Sequence, residues 1–136
     1  MKYFAVIDTN VLVSAMLNWE SNPGSVMELT FAGVIVPLIN DEIIAEYRLV
    51  LTRPKFSLTE DIIEAVVSEV EKLGIFVNID EYEIVLPDPK DVVFYKIVME
   101  ERKTKDAYLV TGNIKHFPNE PYVVTPKQMI EIISQG

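Results

Sequence analysis

Three acids and one asparagine stand where an oxygen ligand could do chemistry. Asp8 directly follows the β-branched and aromatic run Tyr3–Ile7, and Asn113 closes Thr111-Gly112-Asn113 after a second apolar run at 107–111. In an open α/β sheet, ligands bind beyond the carboxyl ends of the strands, so polar residues that follow a strand are the first to consider. Glu46 and Asp91 lie on predicted helices. A turn of about 100° per residue groups Ile43, Ile44, Tyr47, Val50 and Leu51 on one face, puts Glu46 at its border and leaves Glu42 farther toward water. The same rotation aligns Asp91 with Tyr95 and Val98, on a buried face, where a carboxylate needs a partner. The sequence has no cysteine and a single histidine, which removes disulfides, zinc-thiolate sites and thiol nucleophiles. A metal held here would be a hard cation on oxygen.

Each of these residues also has a plain structural reading. Asp8 and Asn113 could form Asx turns that start the next segment. Glu46 could be a solvated glutamate. Asp88-Pro89 reads as an N-cap with a first-turn proline, so Asp91 at the third helical position could complete a capping pair or favour the helix dipole. His116, beside Phe117-Pro118, reads as a surface or rim residue and receives no role. No P-loop, GxSxG elbow or GxGxxG fingerprint is present, and Asp8-Thr9-Asn10 lacks the second acid of a DxD phosphatase.

The elements that must position these side chains alternate. Strands are predicted at 3–7, 34–39, 75–79, 107–111 and 122–124, and helices at 11–17, 24–32, 41 to about 52, from a cap at Ser57 through Leu73, from a cap at Asp88 with its apolar part at 92–99, and from Pro126 onward. Residues 18–23 form a polar break, and Asn40 can cap the third helix. Ser57-Leu58-Thr59-Glu60 and Thr125-Pro126-Lys127-Gln128 both have capping-box spacing. Nearly continuous apolar strands alternating with helices argue for a parallel sheet covered on both faces. With 136 residues, 49% of them hydrophobic, and no linker or repeat, one domain spanning 1–136 is expected. The longest apolar runs are too short to span a membrane and the start lacks a signal peptide's apolar region, so a soluble, cytoplasmic protein is expected.

Taken in order, Val-Ile-Asp8-Thr9-Asn10-Val-Leu-Val-Ser14, Glu46 followed by Leu51-Thr-Arg53-Pro54-Lys55-Phe56, Asp88-Pro-Lys-Asp91 and Leu-Val-Thr111-Gly112-Asn113 resemble a PIN domain nearly end to end. The resemblance is strongest to the branch of toxin components of toxin–antitoxin systems, the VapC-like ribonucleases. It implies a three-layer α/β/α fold with a five-stranded parallel sheet in the order 3-2-1-4-5. It also implies that Asp8, Glu46, Asp91 and residue 113 meet in one acidic pocket that holds Mg²⁺ or Mn²⁺, and that the activity is endonucleolytic cleavage of RNA. Thr9, Asn10 and Thr111 would orient waters or ligands around the ion. Asn113 departs from the commonest family pattern, which has a fourth acid there, and donates a carbonyl without a charge.

The expected function is therefore a metal-dependent endoribonuclease acting on single-stranded RNA, with Asp8, Glu46, Asp91 and Asn113 as metal-holding and catalytic residues. An antitoxin protein and a second copy of the chain are the expected partners, the latter through the apolar helices at 11–17 and 24–32. Arg53, Lys55, Arg102, Lys103 and Lys105 are candidates for backbone phosphates. Against this stands a formal charge of −9, from 21 acidic and 12 basic residues, which repels nucleic acid unless bound cations reverse the local sign. That charge and Asn113 favour a rival reading, a PIN-like scaffold that cuts weakly or not at all and serves as a binding or assembly module.

Overall fold

The computed structural model describes residues 1–79 and 85–136. Strands β1 (Tyr3–Ile7), β2 (Ile35–Ile39), β3 (Ile75–Phe76), β4 (Ala107–Val110) and β5 (Val123–Val124) form one sheet in the order β3-β2-β1-β4-β5. Every neighbouring pair is parallel, and the order is the one implied by the resemblance. Helices α1 (Thr9–Leu17), α2 (Asn22–Phe31), α3 (Asp41–Leu51), α4 (Glu60–Leu73), α5 (Val92–Glu101) and α6 (Pro126–Gln135) complete a three-layer α/β/α arrangement. Both faces of the sheet are covered: Ala5, Val6 and Ile7 are consecutive along β1, so they point to alternate faces, yet all are buried.

The order places β1 beside β4, with their successors leaving in different directions. The Asp8 amide donates to the Val110 carbonyl at 2.9 Å as the last rung, and the Asp8 carbonyl then accepts from Val11 to open α1. Helix α3 is fixed to this point by Tyr47, whose hydroxyl donates to the Ile7 carbonyl at 2.5 Å inside the core. A buried tyrosine needs such a partner. Here the bond sets the helix against the strand one residue before Asp8, with Glu46 adjacent in sequence.

Several expected boundaries shift. Strand β3 is two residues long rather than spanning 75–79, because its partner β2 ends at Ile39, where Asn40 turns outward to cap α3 by accepting from the Ile43 amide. The Val77 amide still reaches the Ile39 carbonyl at 2.8 Å, and beyond it no rung remains to extend the pair. Helix α2 starts at Asn22, within the expected polar break, because the Ser21 hydroxyl caps it and Pro23 fits a first turn that needs no amide donor. The cap of α4 is Thr59, which accepts from the Ile62 amide, and not Ser57. Ser57 instead adopts a left-handed conformation, φ 53°, and ends a 3₁₀ turn over Pro54–Phe56. The box at Thr125 and Gln128 forms as expected.

Candidate functional site

Asp8 is buried and its Oδ2 accepts twice, from the Thr111 hydroxyl at 2.7 Å and from the Asn10 amide at 3.0 Å. Asn10 Oδ1 in turn accepts from the Gly112 amide at 3.0 Å, and the Thr111 hydroxyl accepts from the Asn113 amide at 3.0 Å. The two loops that leave β1 and β4 are thus stitched together through the side chains of Asn10 and Thr111. A Cβ at residue 112 would lie 3.3 Å from Asn10 Oδ1, so glycine permits the close approach. Burial pushes the Asp8 carboxyl from its ordinary 3.8 up to about 6; the Thr111 hydrogen bond opposes this rise and the nearby Asp91 adds to it.

Asp91 sits where the chain passes from a 3₁₀ turn, Pro89–Asp91, into α5. Capping is done by Asp88, whose Oδ1 accepts from the Lys90 amide at 3.0 Å, while the Asp91 side chain caps nothing. Nor does the side chain of Asp8 or Asn113 cap the helical turn that follows it. The Asp91 side chain is 13% exposed, and His116 Nδ1 stands 3.4 Å from its Oδ2, an ion-pair distance without hydrogen-bond alignment. Desolvation raises the Asp91 carboxyl above its ordinary value, Asp88 and Glu46 add repulsion, and His116 offsets part of the rise. Among the described residues, two buried side-chain polar atoms lack a hydrogen-bond partner, Asp91 Oδ2 and Thr9 Oγ1. Both residues line the same cleft. Buried polar atoms are rarely left unpaired, so their coincidence marks a place where a ligand or water completes the structure.

That cleft, of about 410 Å³, opens at the carboxyl ends of β1 and β4 and is lined by Asp8, Thr9, Asn10, Glu46, Asp91 and Asn113 together with Arg53, Lys90, Phe56 and His116. Four residues scattered from position 8 to 113 therefore share one wall. Glu46 is half-buried and Asn113 exposed. Of the cations named from the sequence, Arg53 lines the cleft and Lys55 lies on the same 3₁₀ turn. Arg102, Lys103 and Lys105 are not brought there. Arg102 donates to the Ala107 carbonyl at 2.6 Å and lies over the Tyr122 ring, Lys103 pairs with Glu100, and Lys105 pairs with Glu101 and covers Phe4. Arg102 thus ties the end of α5 to the start of β4, Lys105 reaches the Phe4 ring, and Lys103 pairs at the end of the helix. His116 and Lys90 line the cleft without having been assigned a role. His116 follows a strand end by the same logic as Asn113, three residues farther on; nothing local distinguishes Lys90 from other surface lysines.

The donors suit a hard divalent cation. All are oxygens, one buried carboxylate oxygen makes no hydrogen bond, and the acids repel one another in a way that a positive charge would relieve. Among the described residues, however, no three acidic or histidine side chains stand close enough to enclose an ion by themselves. The fit is to an ion such as Mg²⁺, which takes a few carboxylates and keeps much of its water.

No helix among the described residues is long and apolar enough to cross a membrane. An uncharacterized protein of Methanocaldococcus jannaschii is 26% identical over 147 aligned positions, which cover 96% of this chain and 92% of the relative. No solved structure gives a significant match. The family model for the PIN domain matches residues 5–115, a stretch that contains Asp8, Glu46, Asp91 and Asn113. The chain belongs to the PIN domain family, whose members are generally nucleases.

Proposed function

We propose that the chain is a metal-dependent endoribonuclease that cuts single-stranded RNA, in the role of the toxin of a cytoplasmic toxin–antitoxin pair. The observation that carries this reading is the buried Asp91 Oδ2, which makes no hydrogen bond and has only His116 at 3.4 Å, in a cleft shared with Asp8, Glu46 and Asn113. These four residues would hold Mg²⁺ or Mn²⁺, Asn113 with a neutral carbonyl. The ion, when bound, lowers the pKa of an attacking water and stabilises charge on the phosphodiester oxygens. Thr111 and Asn10 hold the Asp8 carboxylate in one orientation by their two bonds to Oδ2. Arg53 and Lys90, on the cleft, and Lys55 beside it supply cations for backbone phosphates, which the net charge of −9 makes necessary. An antitoxin and a second copy of the chain are partners proposed with the toxin role; Leu17 and Trp19, 55% and 37% exposed at the end of α1, would contribute to the contact between copies.

Two observations favour the rival, a scaffold that binds without cutting: among the described residues no three acidic side chains converge, and position 113 brings no charge. Incubation of the purified protein with an unstructured RNA in Mn²⁺, in Mg²⁺ and with chelator decides between them. Cleavage that depends on metal and disappears in Asp91→Asn supports the nuclease. Intact RNA at millimolar Mn²⁺ would leave the binding module.

A further inference from the structure

We infer that Phe56 is a stacking platform for one unpaired base of the substrate, and that it makes the cleft select single strands; this rests on the nuclease reading above. Phe56 lines the same cleft as Asp8 and Asp91 and is only partly buried. The other phenyl ring on the cleft, Phe94, is 2% exposed and packs against Tyr47, so it has no face to offer. The Phe56 ring has one. The ammonium of Lys55, an exposed side chain, stands 5.2 Å from its centroid, so that face looks toward solvent and not into the core. A base can take this place, because the flexible lysine stem can swing to a neighbouring phosphate while the ring keeps a π partner.

The turn that carries the ring is stiff. Pro54 fixes its first residue, the Phe56 and Ser57 amides donate back to Arg53 and Pro54, and Ser57 is the one described non-glycine residue at positive φ. A left-handed serine is strained, and such strain gathers at sites where a side chain has to be presented in one position. Arg53 lies at the start of the turn and on the cleft. Cation, ring and acids are thus arrayed along a single opening.

The energetic need is specific to this chain. An acidic protein gains little long-range attraction for RNA, so affinity must come from short-range contacts, and stacking of a base on an aromatic ring is among the strongest that ignore sequence. It is open only to a base that is already unstacked, whereas a base within a duplex shows no free face.

The test compares Phe56→Leu, which keeps apolar bulk but loses the π face, with Phe56→Trp, which enlarges it. Steady-state cleavage of a fluorescein-labelled unstructured RNA in Mn²⁺ gives KM and kcat. Anisotropy of the same RNA in Ca²⁺ gives Kd, and melting curves check the fold. The leucine variant is expected to raise KM and Kd ~10-fold while kcat and Tm stay near the parent's, and the tryptophan variant to restore or tighten binding. Discrimination between the RNA and its duplex should shrink in the leucine variant. A leucine variant that binds and discriminates like the parent overturns the inference, as does a tryptophan variant that loses as much as leucine. If the parent neither binds nor cuts RNA, the nuclease reading itself fails along with it.

Discussion

Two groups of acids on this molecule face opposite electrostatic situations. On the outer side of α3 and α4, Arg48 reaches Glu64 at 3.0 Å and Glu71 at 2.9 Å, and Ser68 donates to Glu64 as well. Arg48 holds the Glu64 carboxyl below its ordinary value. In the cleft, Asp8 and Asp91 are withdrawn from water, repel each other, and both have raised carboxyl pKa values. The first group is complete within the folded chain. In the second, His116 offsets only part of the rise on Asp91 and neutral hydrogen-bond donors only part of that on Asp8, so a joining cation would be stabilised there as it would not be on an ordinary charged surface.

The sharpest way to break the comparison is Asp91→Asn. Asparagine keeps the shape of the side chain but removes the charge, and the Asp91 side chain caps no helix, so the fold should survive. Metal-dependent RNA cleavage should fall by more than ~100-fold, since changes to groups that merely orient metal ligands already reach that scale. With chelator present, the variant should melt higher than the parent, because its repulsion with Asp8 is gone. Full activity in the variant would make Asp91 a structural residue and dissolve the contrast.

The next effect is in pH. Asp8 has a folded-state carboxyl pKa of about 6 against an ordinary 3.8, so between these values the native metal-free protein binds a proton that the unfolded chain has released. Its contribution to stability is therefore fully present below about pH 4 and is lost as pH rises past 6, a difference of about 3 kcal/mol. Asp8→Asn does not titrate. In chelator, the stability of Asp8→Asn relative to the parent should thus grow by that amount from pH 4 to pH 7, as read by urea unfolding; parallel pH profiles would show that Asp8 is not strained by its burial. Glu64, with a lowered pKa, works in the opposite direction and is exposed.

Much of this was legible before the structure. Alternation of apolar strands and helices gave the α/β class, and helical rotation placed Glu46 at a border and Asp91 on a buried face, as found. The order of the strands came from the family resemblance and not from periodicity, which carries no information about which strands are neighbours. What local sequence could not decide was whether Asp91 is a cap. Asp88 and Asp91 both have capping chemistry, and only three-dimensional geometry shows that Asp88 takes the bond while Asp91 caps nothing and turns to the cleft beside His116. Lys90, Phe56 and His116 escaped for a related reason. Their roles arise from which loops meet above β1 and β4, and the uses of Arg102, Lys103 and Lys105 arise from contacts with Ala107, Glu100, Glu101 and two rings.

A smaller change sharpens the comparison by adding to the cleft. Asn113→Asp places a further carboxylate on the wall that already holds Asp8, Glu46 and Asp91. Since residue 113 is exposed, the added repulsion is screened and should cost about 1 kcal/mol in chelator, lowering the melting temperature. Mn²⁺ should more than recover the loss, because a ligand that binds the folded state stabilises it with the logarithm of concentration over Kd. The metal-induced rise should be larger than the parent's, and equal rises would show that residue 113 does not face the ion.

The smallest expected effect comes from the completed group. Arg48→Met keeps most of the arginine stem but leaves Glu64 and Glu71 without their shared cation. Both pairs are substantially exposed, with Arg48 at 39%, Glu64 at 61% and Glu71 at 35%, so water and salt already screen them and each contributes little. The variant should lose only a little stability, less still at high salt, and RNA cleavage and metal response should not change. The two groups can then be told apart by one added reagent. Mn²⁺ should stabilise the parent and Arg48→Met equally, because the glutamates released on α3 and α4 are solvated and free to separate, whereas the acids of the cleft are held together by the backbone that buries them. A melting shift with Mn²⁺ that is larger in Arg48→Met than in the parent would mean that Glu64 and Glu71 also gather a cation once their arginine is gone, and burial would no longer be what distinguishes the cleft.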